Sequence, residues 1–214
     1  MTEHFTFSKS RILIIDDNPA IHADFRKILC CDADPDRAMY KAMVSLFNDA
    51  SSAIAATSFE IDSAMQGEEG LEMMQRALDE GRPYAMAFID VRMPPGMDGI
   101  ETTQKIWSIY PDLQVVICTA YSDYSWVDMI GKIGQSDRLL VLKKPFDNIE
   151  ALQLAHALTE KWHLLQQTRA LMEALEKIAE ERTSEIVKAH ERSRLVEANY
   201  ADLVSLASTE GGEH

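Results

Sequence analysis

Five short apolar runs, separated by stretches of helical spacing, constrain this chain more than any other feature. The runs are RILII (11–15), FEIDSA (59–64), YAMAFI (84–89), LQVVIC (113–118) and LLVL (139–142). Three of them are nearly continuous in apolar residues, the pattern of strands covered on both faces. Between the runs, the spacing predicts helices at about 19–30, 67–80, 98–108 and 123–132. Alternation of this kind specifies an α/β fold with a doubly wound parallel sheet. With 46% hydrophobic residues the chain has enough apolar surface for a full core.

One interval breaks the rhythm. Between Cys30 and Phe59 lie 28 residues, where a connection of a few would serve. Within it Met39, Met43 and Leu46 or Phe47 share one helical face. An extra helical segment packed on the domain is therefore expected at about 31–56.

Past Asp147 the texture changes. Neither proline nor glycine occurs until Gly211, and charged residues become dense. One long helix, or two in tandem, is expected from about 147 to 207, with Ile149, Leu152, Ala155 and Leu158 covering the domain at its start. Further on, Leu171, Leu175, Ile178 and Arg182 follow 4-3-4 spacing. Ala179, Arg182, Ile186, Ala189, Ser193, Val196, Tyr200 and Leu203 continue the seam with a shift of phase. Such a seam wants a partner, and a parallel dimeric coiled coil satisfies it. The expected organisation is a domain over 1–150, a long helix over 151–207 that forms a homodimer, and a disordered tail over 208–214.

The formal charge of −14 argues against electrostatic binding of nucleic acid, which needs clustered Lys and Arg. Cys30, Cys31 and Cys118 lack metal or redox spacing and are expected near the core, as in a reducing compartment. No apolar run reaches the length of a membrane helix, and the first ten residues lack the apolar segment of a signal peptide. The expectation is a cytoplasmic protein with no membrane contact.

Chemistry enters where the runs end. The first ends on Asp16 and Asp17, the third on Asp90. In a parallel sheet neighbouring strands deliver their carboxyl ends to one crevice. If those two strands are neighbours, three acids converge, and their mutual repulsion calls for a cation. Carboxylates with water and a backbone carbonyl suit Mg²⁺. The fourth run adds the Thr119 hydroxyl, and the fifth adds Lys143 and Lys144 before Pro145. Acids, a hydroxyl and an ammonium form a reception site for a phosphoryl group. Asp90, solitary and followed by the rigid loop VRMPPGMDG, is the candidate nucleophile for an aspartyl phosphate.

Taken together, ILIIDDNP, FIDVRMPPGMDG, CTAY and LKKPF make residues 9 to 150 resemble the response-regulator receiver domain of two-component signalling. The resemblance implies a five-stranded flavodoxin-like sheet in the order 2-1-3-4-5, and phosphoryl transfer from a histidine kinase or phosphotransfer protein. It implies Asp90 as phosphoacceptor, with Mg²⁺ bound by Asp17, by Asp16 mainly through water, by Asp90, and by the backbone carbonyl of Arg92. Thr119 would contact the phosphoryl group and shift, while Lys144 would pair with the acceptor and then with the phosphate. It also implies a non-enzyme, apart from slow Mg²⁺-dependent autodephosphorylation.

The chain departs from the family pattern at four places. The loop MPPGMDG is one residue longer than the commoner form. Val141 stands where many members carry an aromatic ring that swings with the threonine. Arg92 occupies a position that tunes dephosphorylation, and the interval after the first helix is unusually long.

The region from about 160 resembles the coiled linkers that join receivers to histidine kinase or diguanylate cyclase output domains. LEKIAEERTSEI is typical of them, and the downstream protein is unnamed by the sequence. AHERSRL, around His190, bears a distant similarity to a phosphorylated-histidine box but lacks its proline, and a solvent-facing histidine accounts for it. SDYSW (122–126) is either packing or a face that responds to phosphorylation. His22, His156 and His163 carry no assigned role, although one-turn spacing brings His22 to the pocket rim.

Two other readings use parts of the pattern. A haloacid-dehalogenase-type phosphohydrolase also combines an aspartyl phosphate with Mg²⁺, a hydroxyl and a lysine. It needs its second acid two residues after the first, however, and leaves Asp90 without a task. A coiled-coil scaffold with vestigial phosphorylation would need only the helix.

Overall fold

The structure, a computed structural model, describes residues 9–30, 59–120, 131–134 and 136–210, with side chains up to residue 194. The expected segment at 31–56, the SDYSW stretch, most of the helix at 123–132 and residues 211–214 lie outside the described residues. The chain divides into two compact units, Met1–Leu164 and Leu165–His214.

The first unit is built on five parallel strands in the order β2-β1-β3-β4-β5. They are β1 (Arg11–Ile15), β2 (Glu60–Ala64), β3 (Met86–Asp90), β4 (Gln114–Thr119) and β5 (Leu139–Lys143). The helices are α1 (Pro19–Cys30), α2 (Gly67–Asp79), α3 (Gly99–Ile109) and α4 (Asn148–Glu210). Each strand coincides with a predicted apolar run to within two residues, and the sheet order is the one implied by the resemblance.

Period-two alternation sorts the strand residues onto two faces. Leu13, Ile15, Ala87, Ile89, Val115 and Ile117 pack with Met74 and Ala77 of α2 and with Ile100 and Ile106 of α3. Ile12, Ile14, Met86, Phe88, Val116 and Cys118 pack with Phe25, Ile28 and Leu29 of α1 and with Ala151, Leu152, Ala155 and Leu158 of α4. Each fully buried Ile, Leu or Phe contributes about 1.5–3 kcal/mol. The run Ile12–Ile15, wholly buried, therefore holds β1 at the sheet centre although acids follow it.

Local signals set the helix ends. Pro19 opens α1, where its missing N–H is no loss. The Asp98 side chain caps α3, accepting from the Glu101 amide at 2.7 Å. Gly81, at φ +67°, follows α2 in the left-handed conformation that stops a helix. Cys118 is buried, as expected, whereas Cys30 is exposed. The core face of α1 uses His22, Phe25, Ile28 and Leu29, and its spacing turns residue 30 outward.

Three consecutive residues of α4 anchor its early turns to three separate loops of this unit. Lys161 donates to the Asp137 carboxylate at 2.9 Å and the Trp162 indole donates to the Tyr110 hydroxyl at 2.8 Å. His163 Nε2 meets the Ser10 hydroxyl at 2.7 Å. Burial holds the His163 ring below its ordinary pKa, with the charge of Glu160 opposing.

The second unit contains the rest of α4. Leu171, Leu175, Ile178 and Ile186 of the predicted seam are all more than half exposed within it. Among the described residues no helix is long and apolar enough to cross a membrane.

Candidate functional site

β1 lies beside β3, β3 beside β4 and β4 beside β5, so four carboxyl ends line one edge of the sheet. Asp90 closes β3, Thr119 closes β4, Asp16 follows β1 and Lys144 follows β5. The Lys144 ammonium bridges the two acids, donating to Asp90 Oδ1 at 2.5 Å and to Asp16 Oδ2 at 2.7 Å. These side chains come from positions 54 and 128 residues away from the lysine.

Asp16, almost fully buried, is fixed on every side. Its amide donates to the Ala64 carbonyl at 3.2 Å, and its Oδ1 accepts from the Asn18 amide at 2.9 Å. Its own carbonyl lies 2.7 Å from His22 Nε2. Asp90 holds Lys144 with one oxygen and accepts the Arg92 amide at 2.9 Å with the other. Thr119 is buried, and its hydroxyl points to the Ala120 carbonyl at 3.0 Å. Its own carbonyl accepts from the Lys144 amide at 2.8 Å.

The charges are unequally matched. Burial lifts the pKa of Asp90 above the usual carboxylate range, and the Asp16 charge adds to this, while Lys144 and the Arg92 amide offset only part of it. Burial works against the Lys144 ammonium, yet its two hydrogen-bonded carboxylates outweigh this and raise its pKa. One cation between two acids thus stays charged and leaves a negative excess. Cys118, opposite Asp90 in the β3–β4 register, is no rival nucleophile, because burial pushes its thiol pKa far up.

The loop after Asp90 returns tightly on itself. The Val91 amide donates to the Cys118 carbonyl at 3.0 Å, and the Gly99 amide donates to the Val91 carbonyl at 2.9 Å. A Cβ on Gly99 would stand 2.1 Å from the Asp90 carbonyl oxygen, so only glycine fits there. Farther out, the loop is held by its own backbone and by α2. Gly96 turns back on Met93 at 3.1 Å, and the Met97 amide donates to the Glu68 carboxylate at 3.1 Å.

The edge offers hard oxygen donors, the carboxylates of Asp16 and Asp90. Two acids against one ammonium leave one negative charge, which a cation would offset, so the donor set fits Mg²⁺ in kind. Of the expected acids, Asp16 and Asp90 meet at Lys144. Among the described residues no three His, Cys, Asp or Glu side chains stand close enough to hold a metal. Lys144 occupies the space between Asp16 and Asp90.

Comparison with known families decides the class. The family model for the response regulator receiver domain matches residues 33–156. The chain belongs to this family. The match begins after β1 and α1, so the place of Asp16 and Asp17 in this receiver rests on the pairing of β1 with β2 and β3. The matched residues take in nearly all of the long interval after α1.

Among curated relatives, a cyclic di-GMP phosphodiesterase of Thermotoga maritima is 33% identical over 133 residues, covering 58% of this chain and 33% of that one. The DNA-binding transcriptional regulator NtrC of Escherichia coli is 35% identical over 102 residues, covering 48% of this chain and 20% of that one. The chain thus spans a third or less of these relatives' lengths. A CheY-like receiver domain protein from Methanospirillum hungatei superposes with TM-score 0.51 at 20% identity, covering 73% of this chain and 98% of that one. An adenylate cyclase from Rhodopirellula baltica gives TM-score 0.56 at 20% identity, covering 78% and 98%. These two likenesses show the fold.

Receivers are phosphoacceptors in two-component signalling, and membership of the family supports that role for this chain. They generally use Mg²⁺ and work with a histidine kinase or phosphotransfer system. Sequence reasoning brought His22 to the rim without giving it a task. The signal available was a histidine six residues past the first acid, on the core face of the following helix.

Proposed function

We propose that Asp90 accepts a phosphoryl group from a partner's phosphohistidine, with Mg²⁺ held by Asp16, Asp17, Asp90 and the Arg92 carbonyl. The observation that carries this reading is the Lys144 ammonium, shared between Asp90 and Asp16 at the carboxyl edge. An Asp90 oxygen attacks phosphorus as the P–N bond breaks, and the departing imidazole nitrogen keeps the electron pair and takes a proton from solvent. Lys144 then shifts its donation from Asp90 to a phosphoryl oxygen. Thr119 turns its hydroxyl from the Ala120 carbonyl toward another. The metal, when bound, neutralises charge that Lys144 leaves unmatched. An open groove of about 690 Å³ between α1 and residues 144–148 reaches Lys144.

The output side is the helix. Its exposed seam of Leu171, Leu175 and Ile178 supports pairing with a second copy, through which the phosphorylation state passes to a downstream protein. A cytoplasmic setting fits such a relay. Incubation with acetyl phosphate and Mg²⁺ should add one phosphoryl group by intact mass, and Asp90→Ala should abolish it. Labelled Asp90→Ala protein would defeat the assignment.

A further inference from the structure

We infer that His22 is a positioning residue for the acid edge, its Nε2–H holding the Asp16 carbonyl and so orienting the backbone from which Asp16 and Asp17 bind a divalent cation. The inference rests on the acceptor-site reading above and adds a residue to it.

The ring is buried on the sheet-facing side of α1, with Nε2 2.7 Å from the Asp16 carbonyl oxygen. A carbonyl can only accept, so Nε2 carries the proton of this bond. The ring's Nδ1 is buried and has no hydrogen-bond partner among the described residues. A position that required only volume would take an apolar residue, as Phe25, Ile28 and Leu29 do along the same face. An aliphatic side chain would fill the space without orphaning a nitrogen. What the imidazole supplies, and an aliphatic side chain cannot, is the donor to Asp16.

That donor acts at a sensitive place. The β1–β3 ladder ends at the Ile15–Ile89 pair, and the Asp16 carbonyl lies one residue beyond it. This carbonyl belongs to the peptide plane joining Asp16 to Asp17, so fixing it limits the rotation that aims both acids. The Asp16 amide and side chain are tied by Ala64, Asn18 and Lys144, and His22 ties the carbonyl.

The test uses the full chain with His22→Leu, which removes the donor and keeps bulk, and His22→Gln, which keeps an N–H at similar reach. Mg²⁺ alone is titrated by calorimetry, and phosphoryl incorporation from acetyl phosphate is timed at saturating Mg²⁺. His22→Leu should weaken Mg²⁺ binding on the order of tenfold, as loss of a group supporting a metal ligand does. Its rate at saturating Mg²⁺ should change much less, and His22→Gln should return the affinity to near wild type. Should His22→Leu fail to fold, His22→Met replaces it in the same comparison.

Unchanged Mg²⁺ affinity in the leucine or methionine variant, or equal loss in the glutamine variant, overturns the role of His22. If that happens while the wild type is phosphorylated and Asp90→Ala is not, the acceptor assignment stands. A wild-type chain that binds no Mg²⁺ and takes no phosphoryl group overturns both.

Discussion

At the amino edge of the sheet Arg11 meets the Asp62 carboxylate at 2.6 Å and stacks over the Tyr84 ring at 4.3 Å, while Arg82 meets Glu60 at 2.8 Å. At the carboxyl edge a single ammonium, that of Lys144, stands between Asp16 and Asp90. Two cations balance two acids at the first edge. At the second, the acids outnumber the cation, and they are the more deeply buried set. Tyr84 completes the first network by donating to Asp62 at 2.8 Å, and burial, followed by that bond, pushes its pKa far up, so the phenol stays protonated. Matched charge makes a scaffold, whereas unmatched charge in a buried cleft is what a phosphoryl group and its metal can use.

The contrast can be broken most severely at Lys144. Lys144→Met removes the cation and should slow phosphoryl incorporation from acetyl phosphate by about 10²-fold or more, timed by intact mass. A rate near wild type would mean that the acid edge does not depend on the lysine. Next comes Gly99→Ala, whose new Cβ presses on the Asp90 carbonyl. It should destabilise the fold by about 1–3 kcal/mol in urea titration and slow phosphorylation as well, because the strain falls on the acceptor's own peptide.

Arg11→Met sharpens the comparison from the other side. Breaking a partly exposed pair should lower stability by about 1–2 kcal/mol and leave the phosphorylation rate unchanged. A change in that rate would show that the two edges are coupled.

The smallest effect concerns His163. Its folded pKa lies below the ordinary value, so the unfolded chain binds the proton more readily. The stability it contributes is full above about pH 6.5 and is lost as pH falls through the lower folded value. Thermal midpoints should therefore decline more steeply below about pH 6.5 in the wild type than in His163→Gln. Equal slopes would count against burial of a neutral ring.

Legibility followed the same division. The carboxyl edge is readable because apolar runs stop at acids, a hydroxyl and a lysine, and parallel strands bring their ends together. The order β2-β1-β3-β4-β5 came with the family resemblance rather than from the runs themselves. The amino-edge network left no pattern, since Arg11 and Asp62 are ordinary surface types until pairing sets them side by side. The anchors of Lys161, Trp162 and His163 were equally silent. Their partners lie 24, 52 and 153 residues away, beyond the reach of any local period.

Lys144 is gripped at both its ends, the ammonium by the acids and the amide by the Thr119 carbonyl. A modification at Asp90 that draws the tip of this residue tugs on a root already fastened to the neighbouring strand. The lysine that answers the acceptor is thus moored to the same residue whose hydroxyl faces the site.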